Sequence, residues 1–426
     1  MIELEDLGSD LQRQHRAAMP DVATLMGAGD RRRTRQHRLL GGCAAVVTVL
    51  VVAVTASATI GRDEPTRIQV VAAPLGSPVE DVADPRWGSL PDLPDVVQAP
   101  VATAVVDDRL FAAGVTGDPQ VARLFRLAVN ARSWERVDLP GPSSLAVGNG
   151  DGSTASILAT VKDRLAVLGV EGEALQVVVA EEDGGWTQAP PPPTTASASA
   201  TFLGVGDDLL LWGGEDGERN PVARGLVLAA GAEQWSELPD SPMGPRAGTH
   251  AVAWQGRAVL LGGGDAARGY TDGAILDLAT RTWSAVDPLP GAVSVAAVAV
   301  VDDDVVGLGI DADGRLAAAT LAVDGSWQPV AGPGPSARRS AITATSHGVF
   351  VWSGAAGAAG QPPVRTAWLL SVDAGEWTAL PDSPAGSGRC LAGAAADGSA
   401  VYLVGGLSQC GDAAMVSSSD AIVLGF

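Results

Sequence analysis

Four arginines stand where they could bind acidic groups. Each precedes a short apolar run that predicts a β-strand; they are Arg246, Arg338, Arg339 and Arg389. A guanidinium group forms paired hydrogen bonds with a carboxylate, so arginines gathered at one opening could bind an acidic peptide or a carboxylated glycan. The alternative is that they form ion pairs with neighbouring acids, for which Asp240 and Asp382 are candidates. The sequence leaves both interpretations open.

Three acidic runs are candidate calcium sites: Glu181–Asp183, Asp207-Asp208 and Asp302–Asp304. A calcium ion needs six to eight converging oxygen ligands, roughly. The second and third runs fall at predicted hairpin turns, and none has the spacing of a calcium-binding loop. We therefore expect solvated turns there, and we predict no metal and no other cofactor.

The charge of the chain is unevenly distributed. Residues 1–38 hold seven arginines and six acids, and residues 39–60 hold no charge at all. The rest contains 21 basic and 43 acidic residues, which gives it a formal charge of −22 within a total of −21. Because nucleic acids are bound mainly by Lys and Arg that neutralise phosphates, we expect no nucleic-acid partner.

Seven tryptophans recur along the chain, 44 to 52 residues apart. They are Trp87, Trp134, Trp186, Trp235, Trp283, Trp327 and Trp377. The unit between residues 246 and 283 shows the pattern best: four short apolar runs, a run of glycines at Gly262–Gly264, and a closing Trp. Repeats of this period with four strands each predict the blades of a β-propeller.

Each unit has a short polar turn followed by a glycine signal, which predicts a hairpin of its first two strands. We place the turns at Asp107-Asp108, Lys162-Asp163, Asp207-Asp208, Gln255-Gly256, Asp303-Asp304, His347-Gly348 and Asp397-Gly398. The glycine signal is complete at Gly213-Gly214, Gly262–Gly264 and Gly405-Gly406. Glycine there allows positive φ and close approach of backbones.

The two ends of the repeat region complete one another. The last unit ends at Ala421–Phe426, in its third strand, while Trp87 has a proline-rich exit after it but no strands before it. Pairing the Trp87 strand with Ala421–Phe426 would complete a seventh blade and remove two open sheet edges. We therefore predict an all-β, seven-bladed propeller over residues 87–426, closed by its N-terminal strand in the last blade; six blades is the alternative.

The repeat region resembles the kelch repeats. The features that carry the resemblance are the paired glycines, the Trp about twenty residues on, and Pro245-Arg246-Ala247-Gly248-Thr249-His250. The kelch tyrosine between glycines and Trp appears only as Tyr270. The resemblance is strong in the units of Gly213, Gly263 and Gly405 and weak in those of Gly169 and Gly309. It implies a fold rather than a reaction.

The kelch resemblance brings in two enzyme types, which we do not expect. The central domain of galactose oxidase is also built from kelch repeats. That enzyme needs a copper ion held by two Tyr and two His, with one Tyr linked to Cys. Here His250 is the first-strand His of the kelch pattern and His347 occupies a turn. Ser371–Trp377 resembles the Asp-box of sialidases but is one residue short, and the required arginines and tyrosine cannot be assigned.

The N-terminal region predicts a membrane anchor. Leu39 to Ile60 is a stretch of 22 uncharged residues, long enough to span the hydrocarbon core as a helix. The arginines before it predict a cytoplasmic tail over residues 1–38. Residues 61–86 form a Pro- and Asp-rich linker, and the propeller is extracytoplasmic. Cys43 in a lipobox-like context suggests lipidation as a rival, but too little apolar sequence precedes it.

Two cysteines, Cys390 and Cys410, fall in the last predicted blade. Outside the cytoplasm a disulfide between them is permitted, and it would strengthen the blade that closes the ring. We predict that they form this disulfide, with a reactive pair as the alternative.

We expect a single-pass plasma-membrane protein, of bacterial type, that binds a protein, a peptide or an envelope glycan and is not an enzyme. A carbohydrate-active oxidase or hydrolase is one alternative. A transmembrane regulator that relays ligand capture to residues 1–38 is another, and deletion of that tail would test it. The identity of the ligand and the oligomeric state do not follow from the sequence.

Overall fold

The computed structural model describes residues 85–95, 97–116, 121–128, 131–142, 144–145, 157–172, 174–194, 199–265, 267–337, 340–353, 366–384, 392–411 and 414–426. These residues form β-strands and no α-helix, so no helix among them is long and apolar enough to cross a membrane. The predicted tail, the predicted membrane segment at Leu39–Ile60 and nearly all of the predicted linker lie outside them.

Seven antiparallel sheets follow one another and form a seven-bladed propeller, which confirms the predicted blade count. The chain enters through β1 (Arg86–Ser89). Blade 1 contains β2 (Val97–Val106), β3 (Arg109–Thr116), β4 (Val121–Ala128) and β5 (Glu135–Val137). Blade 2 contains β6 (Ser144–Leu145), β7 (Leu158–Val161), β8 (Arg164–Glu171), β9 (Ala174–Ala180) and β10 (Trp186–Gln188). Both β6 and β7 pair with β8.

The next four blades have four consecutive strands each. Blade 3 contains β11 (Thr201–Val205), β12 (Asp208–Trp212), β13 (Gly225–Leu228) and β14 (Ser236–Glu237). Blade 4 contains β15 (His250–Trp254), β16 (Arg257–Leu261), β17 (Gly273–Asp277) and β18 (Thr282–Val286). Blade 5 contains β19 (Ser294–Val301), β20 (Asp304–Ile310), β21 (Leu316–Leu321) and β22 (Trp327–Ala331). Blade 6 contains β23 (Ala341–Thr345), β24 (Gly348–Ser353), β25 (Thr366–Ser371) and β26 (Glu376–Ala379).

Blade 7 joins the two ends of the repeat region, as predicted. Its strands are β27 (Gly393–Ala396), β28 (Ala400–Val404), β31 (Ala421–Gly425) and β1, and a separate hairpin is inserted before β31: β29 (Leu407–Gly411) and β30 (Ala414–Ser417). β1 pairs antiparallel with β31, with Trp87 opposite Leu424. The Leu90 amide continues this contact by donating to the Ala421 carbonyl at 3.0 Å. The first and last strands therefore close the ring through one shared sheet.

The hairpins between first and second strands follow the prediction, with a shift of one residue in four blades. Those turns are Gly206-Asp207, Asp302-Asp303, Ser346-His347 and Gly398-Ser399. Asp107 and Asp108 both have positive φ, 48° and 55°, the conformation that a two-residue hairpin turn requires and that Asp tolerates better than most side chains. Strand pairing fixes the turn position, and the local turn signal alone does not.

The paired glycines adopt the predicted conformation. Gly213, Gly214, Gly262 and Gly263 all have positive φ. At Gly263 a Cβ atom would also lie 2.7 Å from the Thr249 hydroxyl oxygen. Any larger side chain there would be strained in the backbone and would collide with the segment that enters blade 4.

The core consists of successive apolar layers between neighbouring blades. One layer combines Phe111 of blade 1, Leu165 of blade 2 and Phe202 of blade 3. Another joins Phe350 of blade 6 to Leu424 of blade 7. Since both faces of an inner strand touch a neighbouring blade, strands such as β24 are buried at every position. This explains the near-continuous apolar runs in the sequence.

Five of the seven repeated tryptophans link their blade to the one before it. The indole Nε1 of Trp235 donates to the Pro190 carbonyl at 2.7 Å, and Pro190 lies four residues after Trp186. The same four-residue offset occurs in the bonds made by Trp87, Trp134, Trp283 and Trp327. Trp377 differs, because its Nε1 is buried and has no hydrogen-bond partner among the described residues. The Pro-rich exits thus supply acceptors for the next blade.

This difference predicts unequal effects of Trp→Phe substitutions. We expect Trp235→Phe to lower the free energy of unfolding by about 1 kcal/mol or more beyond the effect of Trp377→Phe. The first leaves the Pro190 carbonyl without its donor, while the second removes a donor that has no acceptor. Urea denaturation of both purified variants measures the difference. Equal losses would contradict a role for the indole bonds.

Candidate functional site

Arg246 is the one predicted site arginine that the structure describes, and it is buried, with 2% of its surface exposed. It lies in the segment that leads into β15. Its Nη1 atom is 2.9 Å from Asp272 Oδ1 and also donates to the Gly262 carbonyl at 3.2 Å. The ion pair is therefore made inside blade 4, with Asp272 and not with Asp240. A side chain so enclosed presents little surface to a ligand.

Tyr270 lies between two guanidinium groups. The Arg246 guanidinium carbon is 4.2 Å from the ring centroid and that of Arg268 is 4.7 Å from it, both within cation–π range. The Tyr270 hydroxyl donates to Asp265 Oδ2 at 2.6 Å. This bond, followed by those from the Ala267 and Arg268 amides, lowers the pKa of Asp265. Arg246, Tyr270 and Asp265 thus form one polar cluster that completes blade 4.

Of the other predicted site residues, the structure describes only Cys410. Arg338, Arg339, Arg389 and Cys390 lie outside the described residues. Cys410 is in β29, opposite Met415 of β30. The arginine site and the disulfide therefore stay predictions.

His250, at the start of β15, is buried. Burial lowers the pKa of His250 to about 4, and a backbone hydrogen bond with Val295 of blade 5 opposes this shift. The imidazole is therefore neutral near pH 7 and acts as a packing residue between blades 4 and 5.

The pKa of His250 predicts an acid-dependent loss of stability. Because the folded pKa lies below the unfolded value of about 6.5, the unfolded chain binds the proton first. The contribution of His250 is full above pH 6.5 and falls as the pH drops toward 4, by about 3 kcal/mol. We expect His250→Gln to have a shallower dependence of unfolding free energy on pH in this window. Identical slopes for the two proteins, measured by urea denaturation, would contradict the prediction.

The hairpin turns of blades 1, 2 and 7 bring carboxylates together at one end of the inner strands. Burial, and then the nearby Asp163 carboxylate, raise the pKa of Asp107. The Tyr402 hydroxyl donates to Asp397 Oδ2 at 2.5 Å, and burial followed by the Asp397 charge raises the pKa of Tyr402. Within the described part of the chain, no group of three His, Cys, Asp or Glu side chains is arranged to hold a metal ion.

A pocket that the sequence did not predict lies beside blade 3. It has a volume of about 180 Å³ and is lined by Thr194, Leu211, Gly213, Glu215, Asp216, Val222, Arg224 and Leu226. Its apolar floor, Leu211 and Leu226, belongs to the layer shared with blade 2. Comparison of the third and fourth repeats could have indicated it, since the third has Val222 where the fourth has Tyr270.

No protein-family model matches this sequence, and no curated protein matches it. The kelch resemblance therefore has no relative to support it, while the seven-bladed β-propeller is established by strand order and pairing.

Proposed function

We propose that the chain is a membrane-anchored binding protein whose kelch-like propeller lies outside the cytoplasm. Its ligand is a protein, a peptide or an envelope glycan, and its role is binding and not catalysis. The observation that carries the proposal is the closed seven-bladed ring. A rigid scaffold of this kind holds many loops in fixed positions, and loops so held are the usual place for binding residues.

Two features of the sequence support the membrane location. Residues 39–60 carry no charge, and five arginines between residues 31 and 38 precede them. That order favours a cytoplasmic N-terminus and an external propeller. The kelch type is supported by blade 4, where Arg246, the glycine pair and Tyr270 meet in one cluster.

The proposed ligand contacts are Arg338, Arg339 and Arg389. Each precedes the first strand of a blade, as Arg246 does, but Arg246 is already paired with Asp272 and serves the fold. In a strongly acidic domain these three arginines would give a local positive site, which would attract carboxylates. The proposal therefore assigns ligand binding to them and not to Arg246.

A pull-down from the native envelope tests this, with residues 61–426 as bait. We expect the bait to recover a specific partner, and the variant Arg338→Ala, Arg339→Ala, Arg389→Ala to lose it. The control is Arg132→Ala with Arg281→Ala, since these arginines lie between third and fourth strands at the other end of their blades. Equal recovery by both variants would reject the arginine site.

A further inference from the structure

The pocket beside blade 3 corresponds to a space that blade 4 fills with its own side chains. The Val222 amide donates to the Gly214 carbonyl at 2.9 Å, just as the Tyr270 amide donates to the Gly263 carbonyl at 2.8 Å. The two residues therefore occupy the same position in successive blades. Val222 lines the pocket, whereas Tyr270 brings an aromatic ring to this position, where it packs against Arg246.

A second pair of backbone hydrogen bonds supports this alignment of blade 3 with blade 4. Gly213 donates to the Arg224 carbonyl at 3.0 Å, and Gly262 donates to the Asp272 carbonyl at 2.9 Å. Position 197, four residues before β11 and outside the described residues, is serine, while Arg246 stands four residues before β15. Blade 3 thus lacks the tyrosine ring and the Arg246 guanidinium of blade 4, and the guanidinium at its pocket comes instead from Arg224, which stands at the position of Asp272.

The carboxylate that holds Tyr270 in blade 4 also has a counterpart in blade 3. Asp265 Oδ1 accepts from the Ala267 and Arg268 amides, which leaves Oδ2 for the phenol. Asp216 Oδ1 likewise accepts from the Glu218 and Asn220 amides, at 2.9 and 2.8 Å. Among the described residues, its Oδ2 accepts only from Asn220 Nδ2, at 3.3 Å, so a stronger donor can bind there.

The same arrangement of Asp and phenol occurs in blade 7. Asp397 Oδ1 accepts from the Ser399 and Ala400 amides, and Oδ2 accepts from the Tyr402 hydroxyl. The chain therefore pairs a turn aspartate with a phenol twice. At Asp216 the turn and the apolar space are present, but the tyrosine is missing.

The lining offers an aromatic group both apolar surface and a guanidinium. Leu211, Val222 and Leu226 provide apolar surface, and the Arg224 side chain stands at the edge of the pocket. Arg224 is held there by Glu237 at 2.5 Å and by the Pro193 carbonyl at 2.9 Å. A guanidinium beside an aromatic ring is favourable, as it is at Tyr270.

We propose that this pocket binds the side chain of a tyrosine on a partner polypeptide. The phenol hydroxyl donates to Asp216 Oδ2, and the ring packs on Leu211, Val222 and Leu226 beside Arg224. The inference deepens the proposed binding function but rests neither on the arginine site nor on the membrane anchor.

Ligand-observed NMR on the full chain in lipid nanodiscs tests the proposal, with empty nanodiscs as the blank. The probes are N-acetyltyrosinamide, N-acetylphenylalaninamide and p-cresol. We expect the tyrosine probe to bind at least about tenfold more tightly than the phenylalanine probe, because only the first can donate to a carboxylate. Equal binding of these two would overturn phenol recognition. Binding of p-cresol without the tyrosine probe would overturn the assignment to a polypeptide.

Two substitutions locate the site. Asp216→Asn keeps the Oδ1 acceptor of the turn but replaces Oδ2, so we expect affinity for the tyrosine probe to fall about tenfold or more. Asp311→Asn is the matched control, because Asp311 Oδ1 accepts the amides of Asp313 and Arg315 in a similar turn and does not line the pocket. Val222→Tyr supplies the missing ring and should abolish probe binding. If the Asp216→Asn variant bound the tyrosine probe as tightly as the Asp311→Asn control does, the proposal would be overturned. This comparison remains decisive even if Val222→Tyr fails to fold. Since isolated probes are used, this outcome is distinct from the result of the envelope pull-down.

Discussion

A chain that begins at Pro91 should lose the cooperative unfolding that a chain beginning at Pro85 retains. The shorter chain lacks β1, so β31 becomes an open edge and the ring is no longer closed by its first strand. It also loses the bond from Trp87 to the Pro381 carbonyl, which ties blade 7 to blade 6. With four residue pairs and a partly buried indole removed, we expect unfolding free energy to fall by about 4 kcal/mol or more. That is a large share of the stability of an ordinary domain.

Thermal and urea denaturation of the two truncated chains measures this loss. A synthetic peptide of residues 85–95 added to the shorter chain should restore part of the stability, and the same peptide with Trp87→Ala should restore less. Coincident unfolding curves for the chains that begin at residues 85 and 91 would show that ring closure by β1 is not needed.

The second large effect is expected at Arg246. Replacement by Ala leaves Asp272 without its cation and removes the guanidinium from the face of Tyr270. Breaking a buried pair costs about 3–5 kcal/mol, and the partly exposed Asp272 places this pair near 3 kcal/mol. Arg246→Lys should restore little, because an amine cannot bind Asp272 and the Gly262 carbonyl with the geometry of a guanidinium.

Arg268 is the matched control, because it contacts the same Tyr270 ring but is exposed. We expect Arg268→Ala to change the unfolding free energy by no more than about 0.5 kcal/mol. Urea denaturation of the three variants gives the comparison. If Arg246→Ala kept full stability and lost partner recovery, Arg246 would be a ligand contact and not a support of the fold.

Much of the fold could be predicted because its signals are local and repeated. The spacing of the tryptophans gave the number of blades, and the strand missing at one end together with the one present at the other predicted the pairing of Trp87 with Leu424. The hairpin turns were placed within one residue. Their exact position depends on which residues pair, as at Val205 and Asp208, and that pairing is decided between strands.

The site could be predicted much less well. Arginine at position 246 suggests a binding residue as readily as a structural one, and only its burial beside Asp272 separates the two roles. No sequence motif indicates the blade 3 pocket, because the pocket arises where the third repeat has the smaller Val222 and the fourth repeat has Tyr270. Such a feature becomes visible only when Val222 and Tyr270 are aligned through their backbone hydrogen bonds.

The sequence by itself determined the repeat, the strand content and the acidic charge of the chain, since each of these follows from residue order over short distances. Only the tertiary structure decided which polar groups are satisfied and which space is left open. The partners of Arg246 and of Trp235 lie 26 and 45 residues away in the chain. Packing of whole blades brings them together, and that packing also leaves Asp216 beside a pocket without the phenol that its counterpart Asp265 binds.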